Sequence, residues 1–105
     1  MEYDYKPRPN EDNPLCWCVF IEGTSICIAI FGSKDEAIDF IKELTNRAAY
    51  EQDIKYLAKL IDEWLREIHF FKKLEIDKIK LAQKKTEELW RKFFLEHIPK
   101  PFGPS

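Results

Sequence analysis

From Cys16 to Gly32 the chain reads CWCVFIEGTSICIAIFG, two apolar runs separated by Glu22-Gly23-Thr24-Ser25. Short apolar runs closed by such a polar turn predict a β-hairpin over residues 15–31. If Gly23 and Thr24 form a two-residue loop, Ile21 faces Ile26, Val19 faces Ile28 and Trp17 faces Ile30. Strand alternation then sorts the side chains. Trp17, Val19, Ile21, Ile26, Ile28 and Ile30 share one face, and Cys16, Cys18, Phe20, Cys27, Ala29 and Phe31 share the other. Both faces are apolar. A lone two-stranded ribbon is marginal in water, so each face needs a cover. The chain's own helices are expected to cover the first. The Cys/Phe/Ala face is the candidate association surface, covered by another protein or by a second copy in a homodimer. That dimer would form through a four-stranded sheet or through the helices.

Beyond the hairpin the period changes. Ser33 with Glu36 forms a capping box, Asp35 and Glu36 suit the positive helix end, and Ala37, Phe40, Ile41 and Leu44 give a buried face. A helix over 33–45 follows, ended by Thr45-Asn46. From Ala48 to His97 there is neither Gly nor Pro, a composition that favours helix. Ile54, Leu57, Ile61, Trp64, Ile68 and Phe71 form one 3-4 seam, and Ile79, Ala82, Thr86, Leu89 and Phe93 form another, out of phase with it. The break at Lys73–Asp77 predicts helices over 48–72 and 77–97, folded back as an antiparallel pair. Folding near Glu75 sets Phe71 against Ile79, Ile68 against Ala82, Trp64 against Thr86, Ile61 against Leu89 and Leu57 against Phe93. Large residues then oppose small ones. One unbroken helix of about 50 residues, roughly 75 Å long, would make the same contacts with a symmetry mate. Residues 74–77, in which apolar and acidic side chains alternate, are a weaker candidate for a short edge strand. The predicted fold class is α+β, in the order β-β-α-α-α.

Three of the six prolines fall in residues 1–14, which read as an extended arm, and three in residues 99–105, an extended tail. Residues 15–98 make a single domain. No run is long enough to span a bilayer, and the charged N-terminus has no signal-peptide core. Three cysteines without an export signal suit reduced thiols in a cytoplasm.

Net charge is −2, which gives the whole molecule no pull toward nucleic acid or anionic lipid. Charge is nevertheless uneven. Residues 72–105 carry nine basic and five acidic groups, leaving the last third at +4 and the rest at −6. Lys80, Lys84, Lys85, Trp90, Arg91 and Lys92 are thus a candidate surface for nucleic acid or a nucleotide-like ligand. The same run also reads as a solvated helix face with Glu87–Arg91 and Glu88–Lys92 pairs.

Cys16-x-Cys18 on a strand spaces its thiols about 6.6 to 6.8 Å apart, unlike the C-x2-C knuckle of structural zinc sites. The cysteines therefore read as small apolar residues, and no metal or cofactor is expected. His69 and His97 read as structural. Adjacent acids such as Glu87-Glu88 diverge on a helix and make no acid/base dyad. The expected function is non-enzymatic: a small, self-associating, regulatory accessory protein that acts by occupying a partner's surface, as phage- or plasmid-encoded inhibitors do. The runner-up is an oligomer binding a nucleotide or nucleic acid through the last helix, and the third reading is a metal or thiol-redox protein.

Overall fold

The structure, a computed structural model, describes residues 5–99. Strands β1 (Tyr5–Pro9), β2 (Trp17–Ile21) and β3 (Cys27–Phe31) form an antiparallel sheet in the order β1-β2-β3. Helix α1 (Lys34–Thr45), a 3-10 turn (Ala48–Tyr50), and helices α2 (Glu51–Glu67) and α3 (Ile76–Glu96) follow. The arrangement is α+β, with α1 against all three strands and α2 and α3 against β3.

The N-terminal segment differs from the expected arm, since Tyr5–Pro9 add a third strand along β2. Pro7 and Pro9 are two residues apart, so both missing N–H donors fall on one edge of the strand, the outer one, where a sheet tolerates proline. Residues 10–16 are also fixed. Asn10 Oδ1 accepts the N–H groups of Asp12 (3.0 Å) and Asn13 (3.1 Å). Asn13 is fully buried. Its Nδ2 donates to Phe70 O (3.0 Å) and Lys72 O (3.2 Å), and its Oδ1 accepts from Leu74 N–H (2.9 Å). One side chain near the N-terminus thus holds the α2–α3 connection. The tail expected over 99–105 lies outside the described residues except for Pro99.

At the hairpin, Gly23 has φ +79 and Thr24 N–H donates to Ile21 O (3.0 Å), a turn with a left-handed third residue. Ile21 N–H reaches Ile26 O (3.2 Å), and Phe20 pairs with Cys27. A bulge at Ile28 then shifts the register by one, giving Val19–Ala29, Cys18–Ile30 and Trp17–Phe31. The expected Val19–Ile28 and Trp17–Ile30 pairs are therefore replaced. Paired residues share a face, so Ala29 and Phe31 join Trp17 and Val19 while Ile30 joins Cys18. The Trp17/Phe31 side meets α1: the Phe31 and Phe40 rings lie 5.0 Å apart and Lys34 Nζ lies 5.8 Å from the Trp17 ring.

Helix α1 carries the expected capping box, with Glu36 N–H donating to Ser33 Oγ and Gly32 N–H to Glu36 Oε2, both at 3.2 Å. Asn46 remains right-handed, φ −64, and not left-handed. Helix α2 stops at Glu67, five residues before the expected end. His69 takes φ 58, Phe70 N–H donates to Leu65 O (2.9 Å) and His69 N–H to Arg66 O (3.1 Å). This is a Schellman ending with histidine where glycine usually sits. Residues 74–75 are extended without pairing, and Ile76 opens α3.

Helices α2 and α3 run antiparallel, as the seams predict. Asp53 Oδ2 lies 3.4 Å from His97 Nε2, Lys85 Nζ lies 4.2 Å from the Trp64 ring, and Ile68 and Ala82 line one hollow. The deepest stripes differ from the predicted seams, however. Ile54, Ala58, Ile61, Asp62 and Leu65 are buried on α2, and Trp90 takes the place of Leu89 on α3. The helices turn these stripes to strand β3, where Asp62 meets Cys27 N–H and Trp90 meets Ile28 O.

Candidate functional site

Most of strand β3 is closed off within one chain. Cys27, Ile28 and Ala29 are fully buried and Ile30 is 1 % exposed. The free edge of β3 is also occupied. Asp62 Oδ1 accepts Cys27 N–H (3.0 Å), Trp90 Nε1–H donates to Ile28 O (2.7 Å), and Arg66 Nη2 donates to Ser25 O (2.9 Å) while its Nε pairs with Asp62 Oδ2 (3.0 Å). With these edge groups of residues 25–28 already bonded to side chains, little of the β3 edge is left for another strand to pair with. At the opposite edge Pro7 and Pro9 remove donors. A dimer built by joining hairpins into a four-stranded sheet is thus not what this geometry favours.

The six residues expected to form an association surface are not an outer face. Cys16, Cys18, Cys27 and Ala29 are buried, Phe31 packs on Phe40, and Phe20 is half-buried with Arg8 5.8 Å from its ring. All three cysteines are free thiols. Burial pushes the Cys16 thiol up to about 11, with Cys18 adding to the shift and the Gln83 hydrogen bond opposing it. The hydrogen bond from Cys27 to Cys18 raises Cys27 and lowers Cys18, and burial raises Cys27 further. No group of three or more potential metal-binding His, Cys, Asp or Glu side chains converges among the described residues.

The basic residues of α3 also separate. Trp90 is 2 % exposed and points at the sheet, so it offers no ring for a base to stack on. Arg91 pairs with Glu87 at 2.9 Å, and Lys85 lies over Trp64. Lys80 and Lys84 are exposed, and Lys92 lines the groove described next.

A long open apolar surface lies on the outer side of the α2–α3 pair. Three hollows run end to end there and share walls. Leu57, Leu60 and Leu89 are common to the first and second, and Trp64 is common to the second and third. Tyr56 is 69 % exposed, Leu60 46 %, Leu81 64 % and Leu89 36 %. At one end His97 stacks on Phe93 (3.9 Å between ring centres), with Nδ1 2.9 Å from Phe93 O and Nε2 facing Asp53. The stacking and the Nδ1 contact hold the His97 ring against the last turn of α3. Lys78, Lys85 and Lys92 border the groove from α3.

The same end is braced by Arg47, a buried residue that the pattern reading did not single out. Its Nε donates to His97 O (2.7 Å) and Nη2 to Phe94 O (3.4 Å), with the guanidinium 4.4 Å from the Phe94 ring and an ion pair to Glu43. It caps the last carbonyls of α3 and ties them to α1. The groove residues Tyr56, Leu60 and Leu81 were missed in the sequence because each sits beside the 3-4 seams. The available signal was the width of the apolar stripe, as Ile54, Tyr56, Leu57, Leu60, Ile61 and Trp64 cover more of α2 than one contact requires.

No helix among the described residues is long and apolar enough to cross a membrane. No protein-family model, curated protein or solved structure matches the chain.

Proposed function

We propose that this chain is a non-enzymatic protein-binding protein of the regulatory or accessory kind, and that the α2–α3 groove is its contact surface. The single observation that carries the reading is a continuous apolar groove left open on a molecule whose other large apolar feature is sealed. A groove between two helices, apolar at its floor and charged at its rim, suits a helical partner that inserts side chains at helical spacing. Free thiols in place of disulfides suit a reducing compartment such as the cytoplasm. Phosphate recognition by α3 has less support, since Trp90 faces inward and Arg91 is paired.

A photo-crosslinking amino acid at position 60, compared with one at exposed Asp39 on α1, tests the reading. In extract of the source cells, position 60 is expected to give discrete polypeptide adducts, dimers of this chain included, and position 39 is not. Equal labelling from both positions, or none from position 60, overturns it.

A further inference from the structure

We propose that the groove is closed by a second copy of the chain, which lays its helical hairpin on the first to make an antiparallel four-helix bundle. The inference rests on the protein-binding reading above and names the partner. Its warrant is the distribution of charge along the two helices. The exposed stripe of α2 beside the groove runs Tyr56, Leu60, Glu63, Glu67 and becomes acidic after Leu60. The bordering stripe of α3 runs Lys78, Leu81, Lys85, Leu89, Lys92, a lysine at every seventh residue, and turns acidic only at Glu96 beside the first hollow. Each helix hairpin therefore carries an acidic rim and a basic rim on either side of one apolar floor. Such a surface is complementary to itself.

Two two-fold arrangements would bury it. With the axis across the helices, α3 lies on α3 and lysines meet lysines, which is costly between desolvated like charges. With the axis parallel to the helices, α2 of each copy lies antiparallel on α3 of the other, as in up-down bundles. The axial level of each residue follows from contacts within one chain: Asp53 is level with His97, Trp64 with Lys85, and Ile68 with Ala82. In the second arrangement Lys85 then comes level with the partner's Glu63 and the partner's Glu67, and Leu89 with the partner's Leu60. Opposite charges meet along the rim at Lys85, and leucines meet over the floor. A like-charge approach, Glu96 to the partner's Asp53, comes at the end of the groove, where Asp53 already faces His97. Helices of this length, about 25 Å, give a footprint of roughly 500 Å² per copy, about 1,000 Å² in total, which is in the range of weak, transient interfaces and below the standard size of about 800 Å² per partner. A dimer that dissociates in the micromolar range is expected.

Sedimentation equilibrium of the full chain from about 1 to about 500 µM tests this, with circular dichroism confirming that each variant is folded. A monomer–dimer equilibrium is expected, and Leu60→Lys, which sets a third cation against the basic rim, should abolish it. Glu63→Lys and Lys85→Glu should each weaken dimerisation about tenfold, and the double charge reversal should recover most of that loss. A monomer at every concentration overturns the inference, as does a dimer indifferent to Leu60→Lys or a double reversal no better than the singles. An adduct from position 60 to a different polypeptide, with the chain itself monomeric, overturns the second copy as occupant and leaves the protein-binding reading standing.

Discussion

The hairpin and the helical pair are both rich in apolar residues, yet one is sealed and the other open. The difference lies in what surrounds the backbone. Strand β3 buries its side chains and also has edge polar groups that accept from Trp90 and donate to Asp62. Helices α2 and α3 satisfy their backbones internally, so nothing obliges a further element to lie over them. An apolar strand needs a cover for its faces and its edge, whereas an apolar helix stripe needs only one for its side chains. Surface left open on a helix pair is thus easily offered to a partner.

The sharpest break in the comparison is Trp90→Ala, which removes a large buried side chain and the donor to Ile28 O. It should cost about 3–5 kcal/mol of unfolding free energy in urea denaturation. Asn13→Ala should follow at about 2–3 kcal/mol, because it strands the Leu74 N–H and the Phe70 carbonyl where water enters poorly. The sealed side also predicts a pH dependence. Burial raises the Cys16 thiol to about 11 when folded, above its ordinary value of 9.0. Its contribution is complete below pH 9.0 and is lost as pH rises toward about 11, where the unfolded chain binds fewer protons. Thermal midpoints should therefore fall less steeply over that window for Cys16→Ala than for the parent chain. At the turn between the two regions, His69→Gly should stabilise the protein by about 0.5–1 kcal/mol by relieving the left-handed strain, read as a shift in the urea midpoint. On the open side Leu60→Gln should change the stability of the monomer by less than about 0.5 kcal/mol at dilute concentration. A loss as large as that of Trp90→Ala would show that the groove is part of the core.

The capping box at Ser33 and Glu36 and the levels of the helical pair were legible because each depends on residues close in sequence or on simple helical spacing. The hairpin was legible to Cys27, and then failed at Ile28. A bulge there turns a carbonyl toward Trp90, 62 residues away, and no local pattern records that demand. The end of α2 was misplaced for a related reason. A helix stop without glycine leaves no mark, and His69 adopts the glycine conformation because Phe70 is buried and Asn13 holds its carbonyl. Strand β1 was hidden by its prolines, which read as an arm until β2 supplies an edge on which their missing donors face outward. The candidate site shared this blindness. Cysteines on an apolar strand look like an outer face until the helices are placed, and only then does the neighbouring stripe of α2 emerge as the surface left over.

Asn13 also bears on the order in which the chain takes shape. Its three bonds reach residues 70, 72 and 74, so the loop that carries it cannot settle until the chain beyond α2 exists. During synthesis, at about 5–20 residues per second, the first strands wait several seconds for their lock. Contacts this distant in sequence also slow folding, because chain entropy is lost before the bonds form. A nascent chain stopped before residue 70 would thus expose the hairpin that the finished protein conceals.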